Sequence, residues 1–409
     1  MFPGNDKTRS LVFLSLLCFA LADVRDGLGP FLGVLLQEKG WTPDEIGYAM
    51  TAGGLAGMVC ATPSGALADR TKQKRLLLGV ATGGVVFACG LVFFSTDITV
   101  VWTSKIVQGA LAAAIAPALT GITLGLVGQE KLPLRLGKNE AWNHFGNCST
   151  AFLGGVAGYF FGIPGVFVVM ALMGLLVGIC IGGINPGHID NAVARGLEPH
   201  QERSAVSFAG LLSNYALLAI ALTLFFFHLG NAAMLPLLGQ SAVARFKVDP
   251  AVYTASTVFI AQTTMIATSL WSARAALSRG YGVLFLIALA VLPVRGMTAC
   301  FFDSPWSLVP VQLLDGVGAG LMGVATPGLV ARLLKGTGHI NMGFGFVLTF
   351  QGVGAAFSSS YGGLFARHLG YKAAFFALAL APCLGFLLFV VAARKLPYLS
   401  SAAAPISER

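Results

Sequence analysis

Apolar runs of about 20 residues, the length a helix needs to cross a bilayer, recur along this chain from Ser10 to the turn before Arg394. Twelve can be counted, at 10–36, 44–66, 75–95, 99–127, 138–162, 165–185, 211–239, 250–275, 281–302, 305–333, 340–366 and 371–393. In lipid every backbone N–H and C=O must find a partner inside the segment that crosses, and a helix provides this. The predicted class is therefore an all-α integral membrane fold with twelve transmembrane helices. Of 409 residues, 56% are hydrophobic and 11% charged, a balance that excludes a water-soluble fold of this length. The first run begins nine residues in and is too long and too polar at its centre for a signal peptide, so the N-terminus is expected to be retained.

The net charge of +9 would suggest nucleic acid in a soluble protein. Here the Lys and Arg fall on alternate loops. One side carries Lys7 and Arg9, the cluster Arg70, Lys72, Lys74 and Arg75, then Lys131, Arg135 and Lys138, and later Arg274, Arg279, Arg332, Lys335, Arg394 and Lys395. The other side holds only Lys39, Arg245, Lys247, Arg367 and Lys372. By the positive-inside rule both termini are cytoplasmic, which requires an even number of crossings. The expected location is the plasma membrane, a bacterial inner membrane, with no nucleic-acid partner. The seven cysteines lie scattered in apolar runs without metal or redox spacing, and read as small core residues. No phosphate loop, nucleophile elbow or His-Glu-x-x-His pattern occurs. The chain is accordingly read as a non-enzyme without cofactor or resident metal, driven by an ion gradient or by its solute's own gradient.

The polar connection around 186–210, with Pro186, His188, Pro199 and His200, bisects the chain. It reads as a cytoplasmic linker between an N-terminal six-helix bundle at 1–185 and a C-terminal one at 211–409. The halves repeat. Gly137-Lys-Asn-Glu140-Ala before the fifth run lines up with Gly338-His-Ile-Asn341-Met before the eleventh. Lys105-Ile-Val-Gln108-Gly109 in the fourth lines up with Gln312-Leu-Leu-Asp315-Gly316 in the tenth, and Asp23 and Asp26 fall opposite His228 and Asn231. Many of the 52 glycines sit inside the runs, where small residues let helices approach closely.

Between the second and third runs stands Gly65-Ala-Leu-Ala-Asp69-Arg70-Thr-Lys72-Gln-Lys74-Arg75. It resembles the Gly-x-Leu-Ala-Asp-Arg-x-Gly-Arg-Lys loop of major facilitator superfamily secondary transporters, matching at Gly65, Leu67, Ala68, Asp69 and Arg70. The fourth run is similar to that family's Arg-x-x-Gln-Gly segment, with Lys105 in place of Arg. The fifth resembles the pattern of its drug/proton-antiporter-like subgroup at Gly146, Gly154 and Gly155, with Thr150-Ala151 where Gly-Pro belongs. The resemblance covers all twelve runs and implies two pseudo-symmetric six-helix bundles. It also implies that the 65–75 loop is a conformational latch. Asp69 would meet the helix start at Gly338 to Asn341, where a helix N-terminus favours a carboxylate, and Arg70 would pair with Glu130. The plainer alternative is that these charges only fix topology.

Ionisable groups at bilayer depth are costly and mark functional positions. Asp23, Arg25 and Asp26 lie near the middle of the first run; Lys105, His228, Arg295 and Asp315 lie about a third of the way in from the outer face of theirs. The resemblance implies that helices 1, 4, 7 and 10, which carry six of these seven, line the central cavity, where Gln108 and Asn231 also fall. Asp23 and Asp26, three apart on one helix face, would raise each other's pKa, which suits a proton carrier; ion pairs that merely clamp helices are the alternative. Lys105, Arg295 and Arg25 against Asp23, Asp26 and Asp315 form a nearly balanced set in which a solute can replace one partner. His228 is either a titrating group or a hydrogen-bonded core histidine. Glu140 and His144, stacked four apart near the cytoplasmic end, are either an inner gate or a solvated helix start.

The expected function is proton-coupled secondary transport, by alternating access, of a small polar or charged organic solute, anionic or zwitterionic, with export favoured over uptake by the partial pattern of the fifth run. The partners are the solute, protons and the bilayer, and the protein is expected to act as a monomer. Two alternatives stand beside this: a divalent-metal carrier using Asp23, Asp26, His228 and Asp315, and a non-transporting membrane receptor or scaffold.

Overall fold

The computed structural model describes residues 6–26, 30–197, 210, 213–248, 250–396 and 399. Among them there is no strand. The helices are α1 (Asp6–Asp26), α2 (Pro30–Glu38), α3 (Pro43–Arg70), α4 (Lys74–Phe94), α5 (Ile98–Ala112), α6 (Ile115–Gly183), α7 (Tyr215–Asn231), α8 (Met234–Phe246), α9 (Pro250–Arg279), α10 (Tyr281–Phe301), α11 (Leu308–Leu333) and α12 (Ile340–Lys395).

These labels do not coincide with membrane crossings. Among the described residues, six stretches are long and apolar enough to cross by length and composition, the longest being Ile98–Gly183 with 86 residues. At about 1.5 Å per residue that stretch is several times longer than the ~30 Å hydrocarbon layer, so it must fold back on itself. It does so at Gly128 (φ 74°, ψ 172°) and Gly162 (φ 65°, ψ −164°). The 56-residue α12 turns at Gly370 (φ 84°, ψ 170°). All three corners need a positive φ that costs glycine little. Counted by these corners, α5 and α6 make crossings four to six and α12 makes eleven and twelve. With α1–α2, α3 and α4 before, and α7–α8, α9, α10 and α11 between, this is the twelve-helix membrane fold expected from the apolar runs.

Two compact units divide the chain. Unit 1 is Met1–Leu132, Trp142–Ala205 and Leu334–Phe346; unit 2 is Pro133–Ala141, Val206–Leu333 and Val347–Arg409. The stretches 133–141 and 334–346, grouped with unit 2 and unit 1 respectively, are the helix starts that align in the repeat.

Unit 1 holds an apolar core that includes Leu14, Leu17, Leu36, Leu78, Val85, Val101 and Ile122. Its α3 and α5 touch through glycines: a Cβ on Gly109 would lie 1.9 Å from the Gly53 carbonyl oxygen, and one on Gly53 2.8 Å from that of Lys105. Unit 2 has its own core around Met234, Leu238, Val311, Phe375 and Leu378. There α9 and α11 pack in the same manner, with a Cβ on Gly316 falling 2.8 Å from the Ala261 carbonyl oxygen and one on Gly320 2.0 Å from Thr268 Oγ1. Gly109 and Gly316 are partners in the sequence repeat. The close approach each permits explains why small residues stand there, since van der Waals packing is what holds helices together in lipid. Outward-facing side chains such as Phe87, Phe152, Leu175 and Leu387 are exposed and apolar, as lipid contact requires.

Candidate functional site

The loop after α3 is built by helix-terminus chemistry. α3 ends where Thr71 turns extended, and Lys74 Nζ donates to the Thr71 carbonyl at 2.8 Å. Arg75 Nε and Nη2 donate to the carbonyls of Ile181 and Gly182, at 2.8 and 3.3 Å, at the end of α6. A cation belongs at such a C-terminus. Asp69 is buried (3% exposed). Its Oδ1 accepts from Asn341 N (3.1 Å) and Asn341 Nδ2 (2.8 Å), and its Oδ2 from Met342 N (2.7 Å). A carboxylate thus engages the free amides of the first turn of α12, where the partial positive charge of the helix lies. Burial pushes the Asp69 carboxyl up to about 7, against the lowering pull of these donors and of Lys74. Gly65 permits the approach: a Cβ there would lie 2.1 Å from the Asn341 carbonyl oxygen. Arg70 and Glu130 are both exposed, and no hydrogen bond or ion pair joins them among the described residues.

The intramembrane charges resolve into separate groups. In unit 1, Lys105 Nζ donates to Gln108 Oε1 at 2.7 Å, one turn along α5, and Gln108 is buried (5% exposed). Asp23 is half-buried on α1. Arg25 and Asp26 follow it in that helix, and their side chains lie outside the described part of the structure. In unit 2, Arg295 of α10 is 1% exposed. Its Nη1 lies 3.0 Å from Asp315 Oδ1 and donates to Asn231 Oδ1, and its Nε donates to the Val311 carbonyl at 3.2 Å. Asn231 closes α7 just before the chain breaks and restarts as α8; the Ala233 amide released there donates to Ser358 Oγ at 2.9 Å. His228, one turn earlier, points Nδ1 at the Leu224 carbonyl, 3.1 Å away. A carbonyl only accepts, so Nδ1 carries the proton.

A residue the sequence reading passed over as a site stands on the same helix as Asp315. Gln312, one turn before Asp315, is fully buried, yet neither its Oε1 nor its Nε2 has a hydrogen-bond partner, and Arg295 Nη2 has none either. The signal available was the repeat, which sets Gln312 opposite Lys105. Buried polar atoms without partners are rare, and each points to a water, a ligand or a second arrangement. Glu140 falls in unit 2, where its Oε2 would lie 3.1 Å from a Cβ on Gly323; His144 is buried within unit 1 (9% exposed). The cysteines are all unbridged.

The profile of the Major Facilitator Superfamily matches residues 11–297, more than half of the chain. The chain belongs to this superfamily. It is therefore a secondary transporter and a multi-pass membrane protein, from a family that is not one of enzymes. It is similar to an uncharacterised MFS-type transporter of Mycobacterium tuberculosis, found in the CDC 1551 and H37Rv strains, with 39% identity over 387 residues covering 93% of this chain and 92% of the relative. Among solved structures it resembles the MFS transporter FucP in its outward conformation (TM-score 0.75, 13% identity, 95% of this chain and 99% of that one). It also resembles the human organic anion transporter MFSD10 (0.71, 16%, 95% and 100%) and a bacterial homologue of the iron transporter ferroportin, outward-facing (0.72, 15%, 96% and 100%). These structures support the fold; at such identities their solutes do not transfer.

Proposed function

We propose that this transporter is proton-coupled and moves a small polar or charged organic solute, anionic or zwitterionic, by alternating access. One observation carries the reading: Arg295, sealed at membrane depth, is only partly matched by Asp315 and Asn231. A buried guanidinium in an apolar bundle is expensive to keep, and a spare N–H pair suits a carboxylate better than a cation. The fold accommodates such chemistry, since one structural neighbour is described as an organic anion transporter and another as a fucose:proton symporter. Asp23, Asp26 and Asp315 are the carboxylates offered as proton carriers, with Lys105, Gln108, His228 and Asn231 as further polar contacts to the solute. Asp69, Gly65 and the start of α12, with Arg70 and Glu130, serve as the cytoplasmic latch, and Glu140 and His144 as an inner gate. We favour export, a plasma-membrane location with both termini cytoplasmic, and a monomer. The divalent-metal reading loses ground because Arg295 already occupies Asp315.

Proton uptake or release by purified protein tests this, with wild type compared against Asp23→Asn, Asp26→Asn and Asp315→Asn across a panel of organic anions, zwitterions and cations. A solute-triggered proton signal abolished in one variant is the expected result. Solute binding with no proton movement in wild type would overturn the coupling, and a response confined to cations would overturn the solute class.

A further inference from the structure

The first part of the segment between the two halves of the chain is folded rather than extended. The Asn185 amide donates to Ser10 Oγ at 3.1 Å, and the same hydroxyl lies 3.1 Å from His188 Nδ1. The Asp190 amide donates to the Gly125 carbonyl at 3.1 Å. Asp190 Oδ1 accepts from the amides of Ala192 and Val193, at 2.8 and 3.0 Å, and so holds the turn that leads into the short 3-10 segment Val193–Arg195. Gly125 makes room for this: a Cβ there would lie 2.8 Å from Ile189 Cγ2 and 3.1 Å from Ala194 Cβ. Ala194 is fully buried and Ile189 and Leu197 are nearly so. Gly196, at φ +84°, then turns the chain where a Cβ would strike Ile340 Cδ1 at 2.2 Å, and its carbonyl accepts from the Gly336 amide.

Asn341 joins this element to the Asp69 contact. Its Nδ2 group has two hydrogens, and both are used: one on Asp69 Oδ1 at 2.8 Å, the other on the Ala194 carbonyl at 3.0 Å. The residue is completely buried. Any shift of this amide therefore disturbs both bonds at once.

We infer that residues 185–197 form a clip belonging to the latch, with Asn341 as the positioning residue that makes the clip and the Asp69 contact release together. The inference rests on the reading of Asp69 as a latch in an alternating-access carrier. The clip converts the 185–197 segment from a tether into a part of the switch: whatever loosens the turn at 193–195 lowers the barrier to freeing the start of α12, although it lies outside the Asp69 loop.

The test uses the full-length protein in detergent, freed of its native cysteines, with Ala68→Cys as reporter. Ala68 is fully buried beside Asp69, so a maleimide reaches a thiol there only when the latch opens. Asp190→Ala removes an exposed acceptor of two backbone amides without touching Asp69, and loss of such hydrogen bonding is worth about a fivefold shift in the local equilibrium. Labelling should rise by about that factor, and Asp190→Asn, which keeps the accepting oxygen, should restore the wild-type rate. Asp69→Asn combined with Asp190→Ala should give less than the product of the two single effects, because the elements release as one. Wild-type labelling in Asp190→Ala alongside a clear rise in Asp69→Asn overturns the clip and leaves the latch standing; no rise in Asp69→Asn overturns the latch itself. In a parallel background that retains only the native Cys89, buried in α4 (3% exposed), Asp190→Ala should leave labelling unchanged. A parallel rise there would mean general loosening and would also overturn the proposal.

Discussion

Gly65→Ala is the smallest change that should open the proposed latch at Asp69. A Cβ at this position would sit 2.1 Å from the Asn341 carbonyl oxygen, 2.7 Å from its carbon and 2.9 Å from Met342 Cα. All three are main-chain atoms and cannot rotate aside. Carbon and carbonyl oxygen rest at about 3.3 Å or more, so the start of α12 must retreat by roughly 1 Å. The bonds from Met342 N (2.7 Å) and Asn341 N (3.1 Å) to Asp69 then pass out of hydrogen-bonding range. Each is charge-assisted and worth about 1.5–3 kcal/mol; with water recovering part of that, the closed latch loses about 3 kcal/mol, or roughly 100-fold in its equilibrium. Gly54→Ala on the same helix is the control, since a Cβ there meets nothing within 4 Å. Maleimide labelling through Ala68→Cys should accelerate by about two orders of magnitude in Gly65→Ala and stay near the wild-type rate in Gly54→Ala. Equal rates in the two variants would refute the reasoning, because both add the same methyl group and differ only in what it meets.

Arg295→Met and Asp315→Leu should each lower the midpoint of thermal unfolding by the equivalent of about 3–5 kcal/mol, while the double variant recovers most of the loss, because removing one partner strands a buried charge and removing both does not; additive losses would show that the pair is not coupled. Gln312→Leu should raise thermal stability by about 1–3 kcal/mol by deleting two unpartnered buried polar atoms, and a loss of stability would show that the amide is engaged in the native protein. Asp69 lies past the apolar part of α3, and its buried carboxyl titrates near 7 against an ordinary value of 3.8. The raised value means the proton favours the latched state. That contribution is full below about pH 3.8 and lost as pH rises through about 7. The stability of wild type relative to Asp69→Asn should therefore fall between about pH 3.8 and about pH 7 and level off above that, and a difference constant with pH would count against it.

The number of crossings was legible because lipid demands long apolar runs, and no tertiary contact can override that demand. What the runs did not reveal was where helices break. α7 and α8 meet at Ala232 and Ala233, residues with no aversion to helix, and the break is held by a bond to Ser358, more than a hundred positions away. The Asp69 contact was readable because the loop pattern is local and the helix start it meets has a recognisable sequence. The Arg70 partner was not, since Glu130 follows the Gly128 corner, whose direction no local pattern sets. Asp23, Lys105, Arg295 and Asp315 stood out as charges in apolar runs. Gln312 did not, because an uncharged amide inside a helix attracts attention only once its surroundings are known to lack partners. The clip at 185–197 was hidden for a different reason: its buried residues, Ile189, Ala194 and Leu197, are too few and too widely spaced among polar ones to read as anything but a linker.

The two buried polar centres differ in how completely they are satisfied, and that difference bears on what each does. At Asp69 three donors cover both carboxylate oxygens, with Asn341 Oδ1 the one atom of that contact left unmatched, and a carboxylate covered on both oxygens in a dry environment favours one arrangement. Such a centre is suited to holding a state, and it yields only when several bonds break at once. Around Arg295 the pairing is incomplete: one guanidinium nitrogen and both polar atoms of Gln312 are unmatched. Each unmatched group costs about 1–3 kcal/mol, so this is where an arriving polar group, or a rearrangement that brings one, recovers the most free energy. A ligand shifts an equilibrium only by its differential affinity for the two states. The centre with the most unmatched groups in this state can supply that difference, while the one whose carboxylate is covered sets the threshold it must exceed.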